Sequence, residues 1–169
     1  RDENGVINAD DKYFFHKPAA DFTMGLNTTL TYKNWTLAAS GHGSLGNYIY
    51  NNVASDGEML ADLWTNSFTS NRLESALWSN FNQACYLSDY YIKDASFFKV
   101  DNVTLGYTFP SLFKSAKLDR ALGLNIYATV QNVATITNYE GLDPEVFSGI
   151  DNNLYPRPRT YILGVKFNF

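Results

Sequence analysis

Apolar and polar residues alternate with a period of two in five stretches of this chain, and that period dictates strands with two chemically different faces. The first stretch is about 20–32. Phe22, Met24, Leu26, Thr28, Leu30 and Tyr32 share one face, and Thr23, Gly25, Asn27, Thr29 and Thr31 share the other. The second is about 35–45, where Trp35, Leu37, Ala39 and Leu45 oppose Thr36, Ala38, Ser40, His42 and Ser44, with Gly41 and Gly43 on the apolar side. The third, about 97–109, sets Val103, Leu105, Tyr107 and Phe109 against Asn102, Thr104, Gly106 and Thr108. Its phase slips near Asp101-Asn102, because Phe98 and Val100 have the opposite parity, and a bulge accounts for such a slip. The fourth, about 122–134, opposes Leu122, Leu124, Ile126, Ala128 and Val130 to Gly123, Asn125, Tyr127, Thr129 and Gln131. The fifth, about 160–169, opposes Tyr161, Leu163, Val165, Phe167 and Phe169 to Thr160, Ile162, Gly164, Lys166 and Asn168.

The chemistry of the two faces narrows the choice of fold. Charged residues are only 18% of the 169, while aromatics reach 16%, with 12 Tyr, 12 Phe and 3 Trp. The polar faces carry Thr, Asn, Gln, Ser and Gly with few acids, which suits a wet lumen. A transmembrane β-barrel buries alternate residues in lipid and rings its rims with aromatics, and this composition fits it. A soluble sandwich alternates too, so the pattern alone leaves that alternative open. No apolar run approaches the ~20 residues of a spanning helix. The net charge of −4, without a basic stripe, argues against a nucleic-acid partner. The single cysteine, Cys85, excludes an internal disulfide.

The connections sort into two kinds. Lys33-Asn34 is a tight turn and 110–121 a short link, whereas 46–96 and 135–159 are long loops, and the long ones fall at one end of the strands. Outer-membrane barrels pair short periplasmic turns with longer extracellular loops, so 46–96 and 135–159 are assigned to the extracellular side. The first long loop is expected to hold a helix over Glu58–Trp64, starting at Ser55 or Asp56. Residues 1–19 read as an acidic extracellular loop or hairpin tip, and Arg1-Asp2-Glu3-Asn4 as a cut through a longer chain.

Four blocks carry a family resemblance. They are Lys17-Pro18-Ala19-Ala20-Asp21-Phe22-Thr23-Met24-Gly25, the run from Asp94 to Tyr107, the run from Gln131 to Val146 with Leu142-Asp143-Pro144-Glu145-Val146 at its end, and Tyr155-Pro156-Arg157-Pro158-Arg159-Thr160-Tyr161. Their order and spacing resemble the SusC/RagA family of TonB-dependent outer-membrane transporters. The resemblance implies an all-β fold, an antiparallel transmembrane β-barrel of about 22 strands with a plugged lumen, of which this chain supplies the last five or so strands. It further implies import of glycan or peptide nutrients, a SusD-like lid lipoprotein, TonB acting through a segment outside this chain, the remainder of the barrel and its plug as partners, and residence in outer-membrane lipid. A soluble carbohydrate-binding β-sandwich and a SusC-like structural or assembly partner in a larger outer-membrane complex are the competing readings.

Candidate sites follow from these assignments. Tyr161, Leu163, Val165, Phe167 and Phe169 resemble the β-signal read by the barrel-assembly machinery, which pairs with an unpaired strand edge. Tyr48, Tyr50, Trp64, Trp78, Tyr90 and Tyr91 can stack on sugar rings, grip a peptide or meet a lid protein; packing within the loops is the plainer role for each. Arg157 and Arg159, with Asp143 and Glu145, lie near the extracellular mouth, where they either select ligand charge or pin the loop by ion pairs. Related transporters carry a fuller calcium-like pattern where this chain has Asp2, Asn4, Asp10 and Asp11. Calcium wants six to eight oxygens, and this chain lacks the second Asp-Gly pair of that pattern. With two histidines, one cysteine and none of the common hydrolase or zinc motifs, no catalytic residues are expected.

Overall fold

A computed structural model describes residues 11–58, 74–79, 87–114, 121–152 and 155–168. In chain order the strands are β1 (Phe22–Tyr32), β2 (Trp35–Leu45), β3 (Tyr48–Asn51), β4 (Ile92–Asp94), β5 (Phe97–Lys114), β6 (Ala121–Thr137), β7 (Ile150–Asp151) and β8 (Thr160–Asn168). A short helix α1 (Asn52–Gly57), a single turn α2 (Ala76–Ser79) and a 3-10 turn (Asp89–Tyr91) complete the described elements. The fold is all-β.

Five strands form one antiparallel sheet in the order β1-β2-β5-β6-β8, open at both edges. Its register turns the period of two into rows. Leu30, Leu37, Leu105, Ala128 and Leu163 are direct neighbours across all five strands. The next row toward the short turn is Tyr32, Trp35, Tyr107, Ile126 and Val165. Apart from the half-buried Tyr107 these side chains stand exposed: Leu30 is 61% and Leu163 85% accessible. The other face carries Thr29, Ala38, Thr104, Thr129 and Ile162 in one row and Asn27, Ser40, Asn102, Gln131 and Thr160 in the next. Hydroxyl and amide contacts stitch that face together: the Thr104 and Thr129 hydroxyls lie 2.8 Å apart, and Asn102 Nδ2 donates to Ser40 Oγ at 2.6 Å. At the short-turn end the Trp35 and Tyr107 rings meet edge to face at 4.8 Å. Tyr32 pairs with Trp35 there, and Lys33 makes the turn with φ of 54°.

The phase slip in β5 is a bulge. Val100 pairs with Gly41 and Asn102 with Ser40, so Asp101 is the extra residue. The insertion keeps Phe98 and Val100 on the same side as Val103 and Leu105, and it puts Phe97 and Lys99 on the polar side. Beside it, a Cβ on Gly41 would sit 2.6 Å from the Lys99 carbonyl oxygen and 3.1 Å from the Phe98 ring. Gly25, by contrast, has open space around it. Gly41→Val is therefore expected to force β2 and β5 apart at a cost of ~1–3 kcal/mol, and Gly25→Val to have much less effect, as read by thermal unfolding of the complete protein.

The strands differ in length from the sequence expectation. β5 runs beyond Phe109 to Lys114 and β6 beyond Ala134 to Thr137. Part of 110–121, expected as a link, is strand; Pro110 is accommodated because the β5–β6 register is irregular between Phe109 and Phe113, where a residue without an N–H is tolerated. The described parts of the long loops hold further strands. β4, β3 and β7 form a second, three-stranded sheet that joins the two loops, with β3 and β7 parallel. Ile49, Ala95 and Tyr139 form the buried cluster beneath it, with Val146 packed alongside. Helix α1 precedes the segment expected to be helical and is capped by the Asn51 side chain, which accepts from the Ala54 N–H at 2.9 Å. Glu58 already lies at its C-terminal end, and Met59–Trp64 falls outside the described residues.

Candidate functional site

Charged side chains converge where the polar face of the sheet meets the second long loop. Lys99 and His42 are cross-strand neighbours on β5 and β2, both on that face. Lys99 Nζ donates to Asp143 Oδ1 at 2.7 Å and to Glu145 Oε2 at 2.8 Å. Arg157 reaches the same two carboxylates from the other side, with Nη1 2.8 Å from Glu145 Oε2 and Nε 3.4 Å from Asp143 Oδ2. His42 Nδ1 lies 2.8 Å from Asp101 Oδ2, the carboxylate of the bulge residue. Its Nε2 is 3.5 Å from Glu145 Oε1, which is an electrostatic contact without hydrogen-bond geometry.

The loop presents its acids in a fixed pose. Asp143 Oδ1 accepts from the Glu145 N–H at 2.9 Å, and the buried Pro144 between them restricts the backbone, so both carboxylates face the sheet. Lys99 is only 4% exposed, its ammonium 5.3 Å from the centre of the Phe97 ring. A buried cation of this kind stands only because two carboxylates compensate it. A second anchor lies deeper in the loop. The buried Tyr139 hydroxyl donates to Asp151 Oδ2 at 2.8 Å, and burial followed by that neighbouring carboxylate raises its pKa far above the ordinary phenol range, so it remains a donor.

Burial pushes the Glu145 carboxyl up, but the Lys99 hydrogen bond and charge, then Arg157 and His42, outweigh it and hold the group below its usual value. A carboxylate depressed in the folded state contributes stability above its unfolded pKa and loses it as pH falls through the folded one. Protection of the amides in residues 139–149, taken relative to the intrinsic exchange rate at each pH, is thus expected to stay constant through neutral pH and to fall below about pH 4, where free glutamate protonates. Glu145→Gln should flatten that dependence.

Between this cluster and the preceding segment lies a cleft of about 500 Å³, lined by Pro18, Thr23, Met24, Phe97, Val146 and Phe147 among others. His42, Asn47 and Glu145 supply its polar edge. The segment before β1 closes one side: the Lys17 carbonyl accepts from the Tyr48 N–H, and the His16 ring stacks on Tyr48 at 3.7 Å.

The residues singled out from the sequence are scattered. Tyr48 is engaged by His16, and Tyr50 Oη donates to Ser55 Oγ at 2.8 Å while accepting from the Leu87 N–H. Tyr91 is 2% exposed and packs edge to face on Tyr50 and Tyr90. Trp78 is 79% exposed, and Tyr90 is half exposed beneath Lys93. Arg157 joins the charged cluster, whereas Arg159 Nε donates to the Asn132 carbonyl at 3.3 Å, away from it. Tyr161, Leu163, Val165 and Phe167 occupy the exposed apolar side of β8. Asp2, Asn4, Asp10, Trp64 and Phe169 fall outside the described residues; Asp11 lies within them, and no group of metal-ligating side chains occurs among those described. The sequence reading named Asp143, Glu145 and Arg157 but missed their central partner, Lys99. Its one signal was a lysine inside the aromatic run Phe97-Phe98-Lys99, just ahead of the slip in phase.

No protein-family model matches the chain. The TonB-dependent receptor SusC of Bacteroides thetaiotaomicron is 43% identical over the whole of it, and the TonB-dependent receptor P3 of Formosa agariphila 28% identical over 99%. The chain spans only 17% and 18% of the length of these relatives. Among solved structures, the RagAB peptide importer in its open-open state superposes with a TM-score of 0.76 at 21% identity, covering 97% of this chain and 19% of the matched one. The closed-closed state of that importer gives 0.71 over 98% and 20%.

Proposed function

Because the chain belongs to the SusC/RagA family of TonB-dependent receptors, we propose that it forms a stretch of the wall of an outer-membrane importer that takes up glycan or peptide fragments. The observation that carries this reading is the exposed row Leu30, Leu37, Leu105, Ala128 and Leu163, backed on the other face by threonines and amides. Side chains so arranged are stable with hydrocarbon on one side and water or a polar plug on the other. A soluble sandwich would cover those leucines with a second sheet, and their exposure weighs against it. The named relatives are receptors and importers, and the charged cluster reads as an anchor and not as a catalytic centre.

In this reading the remainder of the barrel pairs with the open edges of β1 and β8, because an unpaired edge in lipid leaves backbone groups unsatisfied. The alternate residues of β8 through Phe169 serve as the signal for the barrel-assembly machinery. A SusD-like lipoprotein caps the extracellular loops, and TonB acts through another part of the receptor. The complete receptor, expressed in its host, should fractionate with the outer membrane, resist extraction without detergent and co-purify with a lipoprotein. Its deletion should abolish growth on either a glycan or a peptide source, and the choice identifies the cargo. Recovery of the complete receptor in the soluble fraction would sink the proposal.

A further inference from the structure

We infer that residues 138–149 form an inward-folded flap, latched to the lumenal side of the wall by Lys99 and Arg157 acting on Asp143 and Glu145, which narrows the mouth of the pore and opens when those ion pairs part. The inference rests on the reading of the polar face as the lumenal one.

The side on which the loop lies is fixed by register. His42 and Lys99 face the same way as Ser40, Ser44 and Thr104, opposite to Leu37 and Leu105. Contacts from Asp143 and Glu145 to Lys99, and from Glu145 to His42, therefore lie on the lumenal side. Phe97, on that side too, is 5% exposed.

The reach of the loop is equally telling. It leaves the sheet from β6 and returns to β8, which are adjacent strands, and a plain hairpin connection would stay above them. It instead crosses β5 at Lys99 and reaches β2 at His42, and the cleft beneath it extends to Thr23 and Met24 of β1. At ~4.8 Å per strand this is a lateral reach of roughly 15 Å across the inner wall. In a closed, curved wall such a path is a short chord over one sector of the opening.

The hold is also of a releasable kind. Among the described residues the flap shares only Tyr139 and Val146 with the small buried cluster. Hydrogen bonds hold its two ends, from the Tyr139 hydroxyl to Asp151 and from the Tyr50 N–H to the Gly149 carbonyl, while its middle is held to the wall by the ion pairs of Asp143 and Glu145, beside a cleft of about 500 Å³. Buried ion pairs offset their own desolvation cost without a large surplus, so they fix one register yet part together. Lys99 and Arg157 grip the same two carboxylates, so loss of those two acids frees the flap from both cations at once.

The test uses the complete receptor in intact cells, with Cys85→Ser and a reporter thiol from Val146→Cys. Maleimide labelling of that thiol is compared in the parent and in Asp143→Asn/Glu145→Gln, with heat-shifted gel mobility confirming assembly. A tenfold or greater rise in labelling, together with a changed rate of growth on the receptor's cargo source, is expected. Unchanged labelling in an assembled receptor overturns the latch, and so does faster labelling without any change in growth on that source, which would mean that the flap does not narrow the mouth. If the double variant does not accumulate, Arg157→Gln carries the same comparison, since it removes one cation at the exposed side. Absence of the receptor from the outer membrane would instead defeat the importer reading, which the fractionation reports separately.

Discussion

Lys99→Met should free the second long loop from the wall and increase amide exchange in residues 139–149 at least a hundredfold. The side chain is 5% exposed and is the hydrogen-bond donor to both Asp143 and Glu145. Removing one member of a buried ion cluster costs ~3–5 kcal/mol, because the remaining carboxylates stay desolvated without their cation. Arg157 cannot take over: it is half exposed, so water screens its charge. Hydrogen exchange on the complete, detergent-solubilised receptor reads the change. Parental exchange in the single variant would show that the cluster carries no weight.

Leu105→Arg and Thr104→Arg should differ sharply although the residues are neighbours in the chain. Leu105 stands in the middle of the five-strand apolar row, flanked by Leu37 and Ala128. An arginine on the lipid side near the bilayer midplane costs ~2–4 kcal/mol, and less toward the interfaces. Thr104 points the other way, toward the Thr129 hydroxyl at 2.8 Å, where water or a polar plug can solvate a guanidinium. The first variant should accumulate poorly as assembled, heat-modifiable barrel, and the second should assemble with an altered lumen. Equal losses from both would contradict the assignment of lipid to the leucine face.

The main sheet was legible because each strand of a one-layer wall carries both solvents in its own alternation. Even the irregularity at Asp101 left its mark, in the changed parity of Phe98 and Val100. The second sheet left no such mark. Its strands β3, β4 and β7 are four, three and two residues long, too short for alternation to be distinguished from chance. The strand within 110–121 was not legible, because Pro110 is accommodated only where the local pairing is irregular, and only the register with β6 shows that it is. The loop aromatics could not be sorted from sequence: nothing in Tyr90-Tyr91 says that one ring is buried and the other half exposed. The ionic cluster escaped for a different reason. Lys99 is separated from Asp143 and Glu145 by 44 and 46 residues, and a match between one cation and two distant acids has no local pattern.

The inserted residue at Asp101 works as a phase inverter for the wall. Were it deleted, the part of β5 preceding it would rotate by half a repeat, so that Lys99 would be thrust into the oily exterior and Phe98 into the water-filled bore. The position of the principal cation thus depends on a single additional backbone unit, and a lineage that shed that unit would have to find another way of tying down the roof of its channel.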